Sequence, residues 1–284
     1  MRKESWTIFA HQVMPKHLIT YCAGIVAEIR WPWFKNYFIQ WFANKYRVNL
    51  AESASQNLEE FPNFQAFFTR ALKPGARSIA GGNAIASPCD GTLSQLGPVQ
   101  SGQLIQAKGQ KYSLNQLLGE SHDILEQGIY MTIYLSPKDY HRVHLPVAGK
   151  LTRMRYIPGL LHSVQPFTQD HIPNLFARNE RLVLFFETAS GPISVVMVGA
   201  VIVGQIWVPW LGNVRCKKCT DFDYTQNADG GFFFKKGDEI GRFQLGSTVI
   251  LVLPPQAHWI DGLEPGASLE LGNAIGVMPE GSEN

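Results

Sequence analysis

Four residues in three separated stretches carry the side chains of a base-activated nucleophile. Asp90 lies in the stretch SPCDGTL, His141 and His144 lie in LSPKDYHRVHLPVAG, and Ser247 lies in GRFQLGSTVI. In such a site serine attacks a carbonyl, histidine accepts the serine proton, and aspartate fixes the tautomer of the imidazole. Each residue alone also has an ordinary interpretation, because Asp-Gly is a common turn pair and a loop histidine can bond to backbone groups.

The serine belongs to a Gly246-Ser247-Thr248 step that leads directly into an apolar run, residues 249–253. This run is β-branched or aliphatic and is ended by two prolines, so the pattern predicts a buried strand. A Gly-Ser-Thr step by itself most often marks a turn. Glycine, however, has no Cβ to obstruct attack on its own carbonyl, and a rigid strand after Ser247 would hold the hydroxyl in position.

Two further stretches belong to the same pattern, AKGQKYSLNQLLG and NERLVLFF. Together with SPCDGTL, YHRVHLP and GRFQLGSTVI, their order and spacing resemble the phosphatidylserine decarboxylases, from about residue 61 to residue 253. The match includes the Gly-Ser-Thr site at which members of that family cut themselves. The N-terminal region is also similar to the membrane-associating helices of the prokaryotic, pyruvoyl-dependent members. Cys89 departs from the family, which often has alanine beside the aspartate.

The resemblance implies that the chain cuts itself between Gly246 and Ser247. The products would be a β chain of residues 1–246 and an α chain of residues 247–284, held together as a heterodimer. Ser247 would become dehydroalanine and then a covalent pyruvoyl group, the cofactor of the family. By the same resemblance His144 is the base for Ser247 and Asp90 orients that imidazole. His141 is assigned to the decarboxylation step.

The resemblance also implies the reaction. The pyruvoyl carbonyl would form a Schiff base with the amine of phosphatidylserine and withdraw the electron pair released when CO₂ leaves. The product would be phosphatidylethanolamine, which places the protein in phospholipid biosynthesis.

The elements that must position these residues predict an α+β fold. Residues 1–50 have a helical pattern broken near Trp31-Pro32-Trp33, and residues 63–72 predict a further helix. Strand patterns follow, among them residues 128–135, 181–187 and 246–253. We therefore expect a helical, membrane-associating region (residues 1–60) on a larger β-rich catalytic body (residues 61–284), closed into a barrel or a sandwich.

A segment of 27 residues, 188–214, contains no charged side chain and is long enough to span a bilayer. Its valines favour strands, and glycines and a proline interrupt it. We interpret it as two buried strands.

The N-terminal fifty residues are basic and aromatic. They hold seven basic and two acidic residues, a net charge of +5, and four of the seven tryptophans. Aromatic rings among cations are typical of a membrane–water boundary, and no apolar run here is long enough to cross a bilayer. We expect peripheral attachment to the anionic, cytoplasmic face of the cell's inner membrane. The segment at residues 156–166 resembles a family segment near the substrate, with Leu160 and Leu161 as candidates to face lipid.

Composition and cysteine spacing indicate which binding partners to expect among nucleic acids, further copies of the chain and metal ions. A net charge of +2 gives no indication of nucleic-acid binding, and a homo-oligomer stays open. Cys216 and Cys219 have the C-x-x-C spacing, but no second pair completes a zinc site, so we expect ordinary thiols and no metal.

Two other functions fit parts of the pattern. One is a membrane-surface serine hydrolase that uses Ser247, His144 and Asp90. The chain has no G-x-S-x-G motif, and Ser247 precedes a strand rather than a helix, which counts against that interpretation. The other is a non-catalytic lipid-binding module with structural histidines.

Overall fold

The computed structural model describes residues 14–201, 205–225, 232–244 and 247–279. Within these ranges the helices are α1 (Lys16–Ala27), α2 (Pro32–Tyr46), α3 (Phe64–Phe68), α4 (Leu114–Leu118), α5 (Pro166–Gln169) and α6 (Leu175–Arg178). Short 3₁₀ turns lie at Leu58–Glu60 and Leu125–Gln127. The two long helices lie before a body made mainly of strands, which confirms the predicted α+β class.

The strands of the body are short to medium in length. In chain order they are β1 (Ala84–Ala86), β2 (Gly91–Pro98), β3 (Gln103–Ala107), β4 (Gln110–Ser113), β5 (Ile129–Leu135), β6 (Arg142–His144), β7 (Gly149–Ile157), β8 (Arg181–Thr188), β9 (Gly191–Val198), β10 (Ile206–Val208), β11 (Gly212–Val214), β12 (Thr220–Asp223), β13 (Phe232–Phe234), β14 (Glu239–Phe243), β15 (Ser247–Leu253), β16 (His258–Trp259), β17 (Ser268–Leu269) and β18 (Ala274–Val277).

The main sheet is antiparallel and has the order β12-β7-β8-β9-β15-β5-β2-β17, with β13 also paired to β7. A second sheet has the order β11-β10-β14-β6, a third has the order β1-β18-β16, and β3 pairs with β4. Strand β15 therefore lies inside the main sheet, with hydrogen-bonded neighbours on both sides. This position fixes the residue at which the strand begins.

The second sheet packs against the main sheet as in a sandwich. At Gly241 in β14, a Cβ atom would lie 2.9 Å from the sulfur of Met197 in β9 and 3.0 Å from the Trp207 carbonyl oxygen. Only glycine fits so close an approach without displacing its neighbours. In the described part of the chain the strand orders stay open, so the sandwich alternative is confirmed and the closed barrel is not found.

The strand predictions hold at β5, β8 and β15, although Gly246, the first predicted residue of the last one, lies outside the described residues. In the described residues of the uncharged segment 188–214 there are three strands, β9, β10 and β11, rather than the two we predicted. The last two form a hairpin of three residues each, closed at Gly212, which has a φ of 81°. Strands this short give no period that a sequence pattern can reveal.

The helix predictions are correct in place but not in length. The chain breaks between α1 and α2, and Pro32 occupies the first turn of α2, where its missing N–H costs nothing. Helix α3 ends at Phe68 instead of reaching residue 72. Thr69 Oγ1 donates to the Gln65 carbonyl at 2.9 Å, and Leu72 pairs with Ser53, so the end of the segment is extended.

Two hydrophobic clusters stabilise these regions. The larger lies in the β-rich body, around the sheets. The smaller is formed by α1, α2 and α3 and includes Phe42, Phe61, Phe64, Phe67 and Phe68, so α3 packs with the other two helices and the helical region of the structure comprises residues 14–72. Among the described residues, no helix combines the length and apolar character needed to cross a bilayer.

Candidate active site

Ser247 is the first residue of β15 and is fully buried. It pairs with Leu135 of β5, and the next residue, Thr248, pairs with both Tyr134 and Val198. The apolar run that follows is buried throughout, so packing and two hydrogen-bonded neighbours hold the start of the strand. In the described structure the Ser247 hydroxyl has no hydrogen-bond partner. The hydroxyl is therefore not engaged by any described group and can act as a nucleophile.

His141 is fully buried between the body and the helical region. Its ring lies 4.1 Å from the ring of Phe68 in α3. Nδ1 lies 2.8 Å from the carbonyl oxygen of Asp139, and because a carbonyl only accepts, Nδ1 carries the proton. Nε2 therefore presents a lone pair, and no described group donates to it. Burial lowers the pKa of His141 to about 3, so its imidazole is neutral near pH 7.

His144 ends β6 and is held on both ring nitrogens. Nδ1 donates to the Gly237 carbonyl at 2.8 Å, and Nε2 lies 3.3 Å from the Tyr140 hydroxyl. With Nδ1 protonated, Nε2 is the acceptor of that second contact. Burial lowers the pKa of His144 below its ordinary value, so this imidazole is also neutral near pH 7 and able to accept a proton.

Asp90 lies in the loop before β2 and is held by Arg77. The Arg77 guanidinium donates from Nε to one carboxylate oxygen at 3.2 Å and from Nη2 to the other at 2.7 Å. Its pKa is raised above the ordinary arginine value, chiefly by the hydrogen bond to Asp90. Asp90 also accepts the backbone N–H of Leu271 at 2.8 Å, and Arg77 donates further to Glu52 at 2.9 Å.

The structure brings these elements together through backbone contacts. The N–H of His144 donates to the Pro88 carbonyl at 2.8 Å, two residues before Asp90, and the N–H of Phe243 donates to the His141 carbonyl at 3.0 Å, four residues before Ser247. Asp90 and His144 make no direct hydrogen bond in the described structure, and the proton on Nδ1 of His144 goes to Gly237 instead. Asp90 acts on His144 through space, by its charge.

Three residues near the site did not emerge from the sequence. The contact of Tyr140 with His144 could have been predicted, because Tyr140 directly precedes His141 and lies four residues before His144. Arg77 and Phe68 gave no signal, since their contacts depend on how the helical region meets the body. Leu160 is exposed as expected for a residue that faces lipid, whereas Leu161 is buried, so that part of the prediction is wrong.

Comparison with known proteins identifies the family. A family model described as phosphatidylserine decarboxylase matches residues 64–277, and a second model described as PSD matches residues 7–47. A phosphatidylserine decarboxylase proenzyme of Pseudomonas entomophila is 46% identical over 277 residues, 95% of this chain and 96% of the relative. The proenzyme of the same name from Methylococcus capsulatus is 46% identical over 272 residues, 93% of each chain. This chain belongs to the phosphatidylserine decarboxylase family.

Proposed function

We propose that this protein removes CO₂ from phosphatidylserine to give phosphatidylethanolamine, after it has converted its own Ser247 into a pyruvoyl group. Membership of the family supports the reaction. The observation that carries the proposal is the Ser247 hydroxyl, which is buried, has no hydrogen-bond partner among the described residues, and lies at the start of a strand fixed from both sides. Other buried hydroxyls of the described residues, such as that of Ser194, also lack a partner, so the support comes from this feature together with the position of Ser247 in the Gly-Ser-Thr step that the family cleaves.

Self-cleavage begins with attack of Ser247 Oγ on the carbonyl carbon of Gly246. The serine proton passes through a base to the departing amine nitrogen, the peptide C–N bond breaks, and an ester replaces the amide. Loss of the Ser247 Cα proton then expels the Gly246 carboxylate and leaves dehydroalanine at position 247. Water releases ammonia from that residue and leaves the pyruvoyl carbonyl. Orientation by β15 can make such an intramolecular attack equivalent to an effective concentration of about 10⁵ M or more.

The two histidines supply the proton transfers of this proposal. His144 is the base for Ser247, since burial lowers its pKa and keeps the imidazole neutral near pH 7, with Nε2, the nitrogen 3.3 Å from the Tyr140 hydroxyl, unprotonated. The nearby charge of Asp90 opposes that shift and stabilises the imidazolium that forms. Arg77 and the Leu271 N–H hold the Asp90 carboxylate in position.

His141 serves the second half of the chemistry. A pyruvoyl group at position 247 would supply an electrophilic carbonyl that condenses with the substrate amine and accepts the electron pair left by CO₂. The residues fit that group, because Ser247 is buried, the His141 carbonyl accepts the N–H of Phe243 four residues before Ser247, and Nε2 of His141 has no partner among the described residues. His141 would hold and return the proton at the carbon from which CO₂ departs.

The two fragments are expected to remain associated. Residues 247–279 include β15, which lies between β5 and β9, and also β17 and β18, which pair with β2 and β1. The Leu271 N–H adds a hydrogen bond to Asp90 on the other fragment. Separation would expose the middle of the main sheet, so we propose a stable heterodimer of the two fragments.

The exposed rings of α1 and α2 support attachment to a membrane surface. Tyr21, Trp31, Trp33 and Tyr37 are largely exposed, and the Lys45 ammonium lies 4.7 Å from the centre of the Trp41 ring. Large exposed apolar patches mark interaction surfaces, and rings beside cations suit the lipid headgroup layer. We place this surface on the cytoplasmic face of the inner membrane, where it would meet anionic phosphatidylserine.

Denaturing electrophoresis with mass spectrometry tests the proposal. Purified protein should separate into fragments of 246 and 38 residues, the shorter one blocked by a carbonyl at its N-terminus. Ser247→Ala should remain a single inactive chain. Ser194→Ala is the matched control, since Ser194 in β9 is also buried with an unpartnered hydroxyl and should be cleaved normally.

The two rival functions predict a different result. A serine hydrolase or a lipid-binding module would keep one intact polypeptide in every preparation. Cleavage of Ser247→Ala at the same bond would contradict self-processing at this residue. Cleaved wild type that releases no CO₂ from phosphatidylserine would contradict the proposed reaction.

A further inference from the structure

Arg70, two residues after α3, is a buried cation whose hydrogen-bonding capacity is mostly unused. The residue is only 5% exposed to solvent. Nη2 donates to the Lys138 carbonyl at 3.1 Å, and the guanidinium lies 5.7 Å from the centre of the Phe67 ring. Nε has no partner among the described residues, and burial lowers the pKa of the group below the ordinary arginine value.

A second buried arginine shows how a purely structural one is satisfied. Arg181 is 3% exposed, and all three of its nitrogens donate to backbone carbonyls, those of Leu117, Asn179 and Gln116, at 2.7, 2.9 and 2.5 Å. Those carbonyls replace the water that the guanidinium loses on burial. Arg70 makes one such hydrogen bond among the described residues. The free-energy cost of removing its guanidinium from water is therefore only partly offset.

The carboxylates around Arg70 are engaged elsewhere. Asp90, Asp139 and Glu52 all favour its charged form through space. Asp90 and Glu52, however, bind Arg77. Asp139 accepts from both the N–H and the hydroxyl of Ser136 at 2.7 Å. Within the described ranges Arg70 therefore forms no ion pair.

Arg70 lies beside His141. Its Nη2 binds the carbonyl of Lys138, and the next carbonyl along the chain, that of Asp139, holds His141 Nδ1. Phe68, two residues before Arg70, contacts the His141 ring at 4.1 Å. The charge of Arg70 also contributes to the lowered pKa of His141. Nε of Arg70 and Nε2 of His141, a donor and an acceptor that both lack partners among the described residues, thus belong to one wall of the site.

We propose that the Arg70 guanidinium binds an oxyanion of the lipid headgroup during decarboxylation. This inference rests on the proposed function and adds a binding residue to it. The headgroup of phosphatidylserine offers a phosphodiester and a carboxylate, and either accepts the paired N–H donors of a guanidinium. Binding of either would supply the anion that the buried cation lacks and would hold the headgroup against His141.

Steady-state kinetics on self-cleaved enzyme test the proposal. The substrate is phosphatidylserine in mixed vesicles with phosphatidylcholine, the variants are Arg70→Gln and Arg70→Lys, and CO₂ release is measured. Arg70→Gln should raise KM by about 10- to 100-fold, the loss of one charge-assisted hydrogen bond, with a smaller change in kcat. Arg70→Lys should lose less, because it keeps the charge without the planar fork. Arg153→Gln is the matched control and should match wild type, because Arg153 lies on β7, which β8 and β9 separate from β15.

Inhibition by added phosphatidylethanolamine separates the two oxyanions, because this product keeps the phosphodiester and lacks the carboxylate. If the phosphodiester binds, Arg70→Gln weakens inhibition by the same factor as it raises KM. If the carboxylate binds, KM rises and inhibition is unchanged.

An unchanged KM in cleaved Arg70→Gln would overturn the proposal. If the glutamine variant is not cleaved, an unchanged KM in cleaved Arg70→Lys would overturn it. Loss of self-cleavage in both variants would also overturn it, since Arg70 would then serve folding or processing. Failure of the proposed function is distinct, because wild type itself would then release no CO₂.

Discussion

The helical region (residues 14–72) and the β-rich body (residues 84–279) use their aromatic side chains in opposite ways. The largest fully buried rings of the body belong to its hydrophobic core, namely Tyr112, Tyr130, Tyr156, Phe176, Phe186 and Phe243. In the helical region one face of α2 packs into the smaller cluster, while Trp33 and Tyr37 on the other side are 72% and 73% exposed. Similar residues thus stabilise a fold in one region and leave a binding surface in the other.

The two regions meet at His141 rather than far from it. Phe68 contacts the His141 ring, Arg70 donates to the Lys138 carbonyl, and Arg142 donates to the Thr69 carbonyl at 3.0 Å. The segment after α3 is therefore one wall of the site as well as part of the helical region. A headgroup taken from the membrane would meet the chemistry at this junction.

The largest expected effects lie inside the body, at the two histidines. His144→Gln should slow self-cleavage by about 10²- to 10⁴-fold, because it removes the general base for Ser247. His141→Gln should be cleaved into fragments of 246 and 38 residues yet decarboxylate at least about 10²-fold more slowly. A time course of electrophoresis, followed by CO₂ release from the cleaved protein, measures both steps.

His258→Gln is the control for the histidine variants, since His258 is exposed on β16 and should change neither step. Equal loss of cleavage in His141→Gln and His144→Gln would contradict separate roles. Rapid cleavage of His144→Gln would remove that residue as the base.

The same two histidines show what a sequence can and cannot reveal. Strands β5 and β15 were predictable, because short apolar runs rich in β-branched and aromatic residues and bounded by Gly or Pro are typical of buried strands, and so was Ser247 at the start of the second run. The partners of the site residues were not. Gly237 lies 93 residues from His144, and Arg77 lies 13 residues from Asp90 in a loop without periodicity. These contacts depend on sheet register and on how the regions pack, which no local pattern encodes.

A smaller effect is expected at the exposed rings of the helical region. Replacing Trp31, Trp33 and Tyr37 with alanine should weaken binding to anionic vesicles by at least about tenfold, since each inserted ring contributes on the order of 1 kcal/mol. Self-cleavage should persist, because the buried face of α2 is unchanged. Vesicle flotation with phosphatidylserine-containing liposomes measures the binding.

Phe233→Ala provides the control for the membrane surface, since Phe233 lies in the body and is 63% exposed. If the triple variant floats with vesicles as well as Phe233→Ala does, the membrane surface lies elsewhere on the protein. If Phe233→Ala weakens binding as strongly, then the body also contributes to the membrane surface, and membrane binding is not confined to the helical region.

The smallest expected effect is on stability in acid, which reports whether His141 is buried at the junction of the two regions. Unfolded histidine has a pKa near 6.5, whereas burial lowers that of folded His141 to about 3. On acidification the unfolded chain therefore binds the proton first. The stability contributed by the neutral, buried ring is present above about pH 6.5 and is lost between pH 6.5 and pH 3. One such group contributes a slope of at most about 1.4 kcal/mol per pH unit.

Urea unfolding of the uncut Ser247→Ala protein between pH 7.5 and pH 4.5 measures this slope. Adding His141→Gln should reduce the slope of the free energy of unfolding against pH by on the order of 1 kcal/mol per pH unit. This holds even if the double variant is less stable at pH 7.5. His144 titrates in the same direction and should leave a residual slope, because its pKa is also lowered by burial. Parallel curves for the two proteins would mean that His141 is open to water, which would remove α3 as a wall of the site.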